Sequence, residues 1–229
     1  MRKSTDKEIR RLTGIALLLA LAVALGFVAN YVQIGSFSMN LSLIPVVMSA
    51  ILYGPVAGLL VGLAVGGITI AAPATLSMIT ALETATGNSH DGLIVFETVL
   101  VCLVKMAMAG LIPGFIFKGL KKKHFNLAVI LASVSAPIIN TGIFSLFMLT
   151  LMYQDINLAF NTTGANMFYF VFVGLIGVNF FIEFGINAAL SPMMVYLTRF
   201  AFRNVRTGSD VIGKQVDTQK ENLSSSSNL

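Results

Sequence analysis

The sequence predicts an all-α membrane protein with six transmembrane helices and both termini in the cytoplasm. Three observations support this fold class. Of the 229 residues, 56% are hydrophobic and only 11% charged, whereas an average soluble domain has about 25% charged residues. The mean hydropathy is +0.85. Long uncharged stretches separate three clusters of Lys and Arg. Such a chain cannot cover a water-facing surface, so its outer face is expected to contact a lipid bilayer.

Six segments are candidates for crossing the membrane, because a span needs about 20 apolar residues. They are residues 12–29, 41–52, 56–72, 93–118, 126–152 and 167–199. The second is short, and Pro45 lies in its first turn, where a missing N–H is harmless. It could form a hairpin with the third, turning at Tyr53-Gly54-Pro55. The domain organisation follows as a basic cytoplasmic N-terminus over 1–11, a six-helix domain over 12–203, and a disordered cytoplasmic tail over 204–229.

The distribution of Lys and Arg tests this topology, because basic residues near span ends stay in the cytoplasm. With the N-terminus inside, the N-terminal segment, the loop after the fourth span and the C-terminal end hold all of the 15 basic residues except Lys105. The three outer loops hold none. The same pattern argues against nucleic acid as a partner. A cleaved signal peptide is disfavoured, because the first apolar run is long.

The sequence offers little for catalysis. His90 and His124 fall in loops on opposite sides of the membrane, and Cys102 is the single cysteine, inside an apolar run. A Ser–His arrangement therefore lacks its base, and no His/Cys cluster can hold a metal. We expect no enzyme, no catalytic residues, no metal and no cofactor.

A partial phosphate-binding motif lies in the C-terminal tail. Residues 208–214 read GxxxxGK. The motif requires a Ser or Thr after the Lys and a strand before the first Gly. Here Gln215 follows, and the preceding segment is the basic end of a membrane helix. We interpret the match as chance, so any ATP hydrolysis must come from another chain.

Small residues repeat every four positions on three of the predicted helices. They are Ala16, Ala20 and Ala24 on the first span, Gly54, Gly58, Gly62 and Gly66 on the third, and Gly110 and Gly114 on the fourth. In lipid, small residues let helix backbones approach closely. For the third span this pattern favours packing inside the bundle. For the first, a partner subunit and internal packing stay equally open.

Polar and charged residues inside the spans are the candidate site. An ionisable side chain at a helix centre costs at least about 2.5–3.5 kcal/mol. The midpoints of the last three spans fall at or beside Lys105, Asn140 and Glu183, so these should share one depth. Lys105 is roughly 18 Å from either span end, too far to reach water. Asn179 lies one turn from Glu183 on the same face, and Glu97 lies near the outer end of the fourth span.

Two interpretations of Lys105 stay open. It could form an ion pair with Glu183 that locks two helices, because buried charges are usually paired. It could instead line a polar pocket, open to the outside, whose ligand contacts it and the amide side chains. The outer loops 31–40, 73–92 and 153–166 could cover such a pocket, although long loops often only connect helices.

Several stretches resemble one known family. NLSLIPVVMSAILYGPVAGLLVGLAVG (residues 40–66), LVKMAMAGLIPGFIFKGL and APIINTGIF, together with six spans and a small-residue first helix, resemble the substrate-capture (S) components of energy-coupling-factor (ECF) vitamin transporters. The resemblance covers about residues 10–203, and YGPVAGLLVG is its most specific part.

The resemblance implies a function and partners. S components bind a vitamin or related micronutrient outside the bacterial cell and pair with a transmembrane coupling subunit and two cytoplasmic ATPases. The family's contact with the coupling subunit maps onto Ala16, Ala20 and Ala24. Pantothenate is the first candidate ligand, because the second to fifth helices look most like pantothenate-type members. Riboflavin, folate, and thiamine or queuosine precursors stay open.

The expected substrate-binding residues are Lys105, Asn140, Asn179, Glu183, Glu97 and Phe37. Family sites lie toward the outer half of the bundle, which is shallower than the depth expected for Lys105 and Glu183. The chain has no Trp, so stacking on a flat ring would fall to side chains such as Phe37. The competing class is a stand-alone secondary carrier or channel for a small polar solute. A purely structural membrane subunit is a third possible class, but such a role would not explain a charged Lys105 inside a span.

Overall fold

The computed structural model describes residues 2–31, 33–34, 37–38, 40–87, 91–162 and 164–226. It is helical almost throughout. In chain order the helices are α1 (Arg2–Tyr31), α2 (Leu43–Tyr53), α3 (Pro55–Ile70), α4 (Pro73–Thr86), α5 (Asp91–Leu120), α6 (Phe125–Thr150), α7 (Tyr153–Phe160), α8 (Ala165–Tyr169) and α9 (Gly177–Ser226). A π-helical segment, Phe170–Leu175, joins α8 to α9. Two short antiparallel strands, β1 (Gln33–Ile34) and β2 (Phe37–Ser38), follow α1.

The outer surface of the bundle is apolar, as the composition predicted. Leucine, phenylalanine and tyrosine side chains stand exposed along most helices, including Leu17, Phe181 and Tyr196, each about 70% exposed. Exposed apolar patches of this extent are not found on soluble monomers. The chain is therefore a membrane-embedded, multi-pass protein.

Fewer spans are recognisable than the six predicted. In the described part of the chain, four helical segments are long and apolar enough to cross a membrane: Glu8–Val28, Gly92–Leu120, Phe125–Thr150 and Asn179–Arg203. The pair α3 and α4, bent by 56°, would add a fifth. Helix α2 has 11 residues, which at 1.5 Å per residue reach only about 16 Å, roughly half the bilayer core. The six-span count and the cytoplasmic termini stay predictions.

The predicted hairpin of α2 and α3 is confirmed. Helix α2 ends at Tyr53 and α3 begins at Pro55. Between them Gly54 has φ +102°, a conformation that costs glycine little and other residues much. Pro55 then occupies the first turn of α3, where its missing N–H is not needed.

Two of the predicted outer loops contain helices instead. Residues 73–92 hold α4, which begins at Pro73 and ends at Thr86, and the next residue, Gly87, has the left-handed conformation. Its buried residues, Ile79 and Leu82, lie three apart on one helical face. The stretch 153–166 holds α7. Both segments were predicted as loops because they are short and rich in polar residues, Thr and Ser in α4 and Gln, Asp and Asn in α7.

The predicted sixth span is broken. Residues 167–199 contain the end of α8, the π-helical segment and the first part of α9. The backbone of α9 then continues as helix to Ser226, through the stretch where the sequence predicted a disordered tail. Propagating an existing helix is far easier than nucleating one, and no proline follows Pro192 to stop it. The domain boundaries at residues 12 and 203 stay predictions.

Helices α3 and α5 meet backbone to backbone through glycine, as predicted for the third span. A Cβ atom on Gly58 would lie 2.3 Å from the carbonyl oxygen of Gly110, and one on Gly62 would lie 2.2 Å from that of Met106. No side chain fits between the two helices there. This contact fixes the position of α5, the helix that carries Lys105.

Two apolar clusters stabilise the bundle. The larger involves α1, α2, α3, α5, α6 and α9, with Val46, Met106 and Met194 completely or almost completely buried. The smaller joins α4, α7 and the α8–π segment to the ends of α5 and α6, through residues such as Leu82, Met152 and Met167. Residues of both clusters line the cavity described next.

Candidate functional site

A cavity of about 420 Å³ lies among α3, α4, α5, α6 and the start of α9. Its polar lining consists of Asn40, Ser42, Thr69, Thr75, Ser77, Thr98, Lys105, Asn140, Thr141, Asn179 and Glu183. Its apolar lining includes Met78, Phe144, Met148, Phe160, Ile176 and Phe180. This volume is in the range of small-molecule pockets, which are usually apolar with a few convergent polar groups.

The carboxylate of Glu183 is the centre of a hydrogen-bond network. Its Oε1 accepts from the backbone N–H of Asn40 at 3.3 Å and from Nδ2 of Asn179 at 3.2 Å. Its Oε2 accepts from Nδ2 of Asn140 at 3.5 Å. Glu183 is 3% exposed. Three N–H groups from three separate segments therefore compensate a carboxylate that is almost completely buried.

The network fixes which way both asparagines point. A carboxylate only accepts hydrogen bonds, so Asn140 and Asn179 must each turn the NH₂ end of the amide toward Glu183. Their Oδ1 atoms then face away and have no hydrogen-bond partner among the described residues, and neither has Oγ1 of Thr98. Unsatisfied buried polar atoms at a cavity wall are free to bind a ligand.

Lys105 supplies the positive charge of the cavity. Its Nζ lies 5.0 Å from the centroid of the Phe144 ring, a cation–π geometry. Lys105 and Glu183 line the same cavity, and no N···O contact of 4.0 Å or less joins them in the described structure. The simple ion-pair lock considered from the sequence is therefore not formed.

The segment before α2 closes one side of the cavity. Asn40 donates its backbone N–H to Glu183, and its Nδ2 donates to Sδ of Met106 at 3.5 Å. The hydroxyl of Ser42 donates to Oδ1 of Asn40. These bonds attach residues 40–42 to both α5 and α9.

The structure brings together four of the six predicted site residues: Lys105, Asn140, Asn179 and Glu183. The expected common depth of Lys105, Asn140 and Glu183 in the membrane stays a prediction. Lys105 lies beside the midpoint of the span Gly92–Leu120, whereas Glu183 lies in the second turn of α9, because the break at Ile176 shortens the predicted sixth helix. Their role in binding stays a prediction.

The other two predicted residues do not line the cavity in the described structure. Glu97 is buried but absent from the lining. At 100° per residue it points about 80° away from Lys105 on α5, whereas Thr98 points only about 20° away. Phe37 belongs to β2, and its side chain lies outside the described part of the structure.

Several lining residues were missed, and helical spacing could have found some of them. Thr98 and Cys102 share the face of α5 with Lys105, and Phe144 lies one turn after Asn140 on α6. Asn40 could not have been found this way, because it acts through its backbone. The lining residues of α4 were missed because the sequence analysis predicted this helix as a loop.

The polar groups of the cavity suit reversible binding of a small molecule. The cavity offers the ammonium of Lys105, two amide oxygens and an aromatic wall. These groups can hold a small polar molecule through hydrogen bonds and electrostatic attraction. Within the described ranges, no group of three or more His, Cys, Asp and Glu residues could hold a metal ion.

The three alanines predicted to contact a partner lie on the surface. Ala16, Ala20 and Ala24 are exposed along α1. Only 6% of the apolar stretch of α1 is buried in the bundle. This face of α1 is therefore free to contact lipid or another subunit.

Comparison with known proteins identifies the family. A family model described as "ECF transporter, substrate-specific component" matches residues 10–195. The comparison with curated proteins gave no match, and neither did the comparison with solved structures.

Proposed function

The chain belongs to the family of substrate-specific components of ECF transporters, and we propose from this premise that it captures a vitamin or related micronutrient for ATP-driven import. The family consists of transport receptors rather than enzymes. Membership of this family supports a substrate-capture role in a membrane transporter. The ligand, the partner subunits and the residues involved are the proposal.

The observation that carries this proposal is the cavity itself. It lies inside a lipid-exposed bundle, holds about 420 Å³, and collects Lys105, Asn140 and Asn179 on its wall. A half-buried ammonium at the middle of a span and two buried, unsatisfied amide oxygens are costly in a membrane protein unless a ligand or water satisfies them. A vitamin-sized molecule would satisfy them and fill the apolar remainder of the space.

The orientation follows from the basic clusters. We propose that both termini and the α5–α6 turn face the cytoplasm of a bacterial cell, because Lys118, Lys121, Lys122 and Lys123 lie at that turn. The cavity then opens toward the outside. In this orientation the segment 40–42, α4 and α7 lie at its outer end.

The partners we propose are a transmembrane coupling subunit and two cytoplasmic ATPases. The exposed face of Ala16, Ala20 and Ala24 on α1 offers the coupling subunit a close backbone approach. The GxxxxGK stretch at 208–214 has a helical backbone within α9 rather than a loop after a strand, which supports its interpretation as chance. Energy would then come from the separate ATPases.

Pantothenate is the first candidate ligand, since its carboxylate suits Lys105. Riboflavin, folate, and thiamine or queuosine precursors are the others. The test is binding of each vitamin to the purified chain in detergent, followed by uptake into liposomes. We expect binding by the chain alone, and uptake only when the coupling subunit, both ATPases and ATP are present.

The liposome experiment also distinguishes an ATP-driven transporter component from the competing class, a stand-alone secondary carrier. A stand-alone secondary carrier would take up the solute without ATPases, driven by an ion gradient. Uptake by the isolated chain would therefore contradict the proposal. The matched control is the Ala20→Leu variant, which should bind vitamin normally and yet fail to support uptake with the complete set of subunits.

A further inference from the structure

The polar groups of the cavity define the chemistry of the ligand more closely than the family does. Lys105 contributes an ammonium, and the ring of Phe144 is its neighbour at 5.0 Å. No described residue accepts a hydrogen bond from this ammonium or forms an ion pair with it, and its charge lies beside the middle of a candidate span. An ammonium at that depth requires a counter-charge or a wet cavity.

Glu183 does not supply this counter-charge by contact. Its two oxygens accept from the backbone of Asn40 and from the side chains of Asn140 and Asn179. It acts on Lys105 only through space, across the cavity. Glu183 is therefore a positioning residue, which sets the orientation of two amides and holds the segment before α2.

The orientation of those amides gives the second requirement. Oδ1 of Asn140 and Oδ1 of Asn179 are buried acceptors without a partner in the described structure. An acceptor is satisfied only by an N–H or O–H donor. A ligand without donors would leave both oxygens desolvated and unsatisfied, which costs more than leaving them in contact with water.

We propose that the ligand is an organic anion that also carries N–H or O–H donors. Its acidic group contacts Lys105, its donors contact Asn140 and Asn179, and its apolar part packs on Phe144 and Phe180. This inference rests on the proposed capture function and narrows it. It disfavours cationic vitamins, which Lys105 repels, and neutral flat ring systems, which leave the ammonium without an ion-pair partner in direct contact.

The test compares matched ligands that differ only in the acidic group. Pantothenate is paired with pantothenol, in which an alcohol replaces the carboxylate, and biotin with its primary amide. Riboflavin serves as a neutral probe and thiamine as a cationic one. Equilibrium affinities are measured for the full chain in detergent, for the wild type and for Lys105→Met and Lys105→Arg.

The expected result is tight binding by an anionic member of the panel, with the neutral partner of its pair about 10- to 100-fold weaker, the range for a hydrogen bond to a charged group. Lys105→Met should reduce that preference to about twofold or less, and Lys105→Arg should keep most of it, because the charge persists. The wild-type comparison of paired ligands needs no variant, so it stands even if Lys105→Met fails to fold.

A second set of variants tests the positioning role of Glu183. In Glu183→Gln one of the three donors faces an NH₂ group instead of an oxygen, so one asparagine must turn. Affinity should fall for ligands with donors, while the carboxylate preference set by Lys105 persists. A variant that lost the carboxylate preference instead would show that Glu183 acts on the acidic group.

The outcomes separate this inference from the proposed function. Tight binding of riboflavin or thiamine, or an anion bound equally well by Lys105→Met, would overturn the inference and leave the capture function standing. If no member of the panel bound the wild-type chain, and neither did folate or a queuosine precursor, the proposed capture of vitamins would be overturned, and the inference with it.

Discussion

The glycine contact between α3 and α5 can be tested by adding a single methyl group. In Gly62→Ala the new Cβ would lie 2.2 Å from the carbonyl oxygen of Met106, and such contacts are essentially never shorter than 3.0 Å. The two helices must therefore separate by about 0.8 Å. The neighbouring Gly67 provides the matched control, because a Cβ there meets nothing within 4 Å.

The magnitude follows from these distances. Both substitutions gain roughly 0.5–1 kcal/mol from replacing glycine in a helix. Only Gly62→Ala adds the overpacking penalty of typically 1–3 kcal/mol. We therefore expect Gly62→Ala to unfold with a free energy about 1–3 kcal/mol below that of Gly67→Ala. Ligand affinity should also fall in Gly62→Ala, because the shift moves the helix that carries Lys105.

The assay is equilibrium unfolding in mixed detergent micelles, with SDS as the denaturant and far-ultraviolet circular dichroism as the signal. Each variant is measured alongside the wild type under the same conditions. Equal unfolding free energies for Gly62→Ala and Gly67→Ala would mean that the added methyl group meets no obstacle at position 62. The two helices would then not be in backbone contact at this position.

Three further predictions concern the cavity and the outer face of α1. Cys102 is the single cysteine of the chain and lines the cavity. Bound ligand should therefore slow the modification of its thiol by a small thiol reagent, which intact mass spectrometry follows. An unchanged modification rate would place the ligand elsewhere. Phe144→Leu removes the ring whose centroid lies 5.0 Å from Nζ of Lys105. The variant should lower the stability of the ligand-free protein by about 0.5–2 kcal/mol, as measured by thermal unfolding. An unchanged Tm would mean that the ring does not stabilise the ammonium. Ala20→Leu should abolish co-purification with a coupling subunit, because a bulky side chain prevents close helix approach. Vitamin affinity should stay within about twofold of wild type. Normal co-purification would mean that the coupling subunit does not contact this face of α1.

The long helices could be predicted because lipid imposes a simple length rule. Helices α5 and α6 lie within a few residues of the predicted segments 93–118 and 126–152. A continuous apolar run must cross the membrane as a helix, since no other local structure satisfies its backbone there. The α2–α3 hairpin was equally predictable, because Gly54 and Pro55 each have a local conformational preference.

The short helices could not be predicted from the same rule. Helices α4 and α7 are too short to cross a membrane and carry Thr, Ser, Asp and Asn, so their composition is that of loops. Their stability comes from packing, as shown by Leu82 and Ile156 in the smaller apolar cluster. Such tertiary contacts are not local in sequence.

The charge of Lys105 was enough to predict the candidate site, whereas the positions of residues along the predicted spans identified only some of its other members. An ammonium in the middle of an apolar run identifies Lys105 without any structure, because of its cost in lipid. The midpoint argument that added Glu183 depended on an unbroken sixth helix, and the break at Ile176 removed that basis. The two residues share a cavity nonetheless. The contribution of Asn40 is a backbone N–H and leaves no signal in the residue type.

A ligand in this cavity should contact Lys105, Asn140 and Asn179, and an experimental structure of the chain with its tightest-binding vitamin would show those contacts. We expect ligand density inside the cavity, with an acidic group within hydrogen-bond distance of Nζ of Lys105 and donors facing the two Oδ1 atoms. Ligand density outside the cavity, or a ligand inside it that contacts none of the three side chains, would show that these residues do not form the binding site.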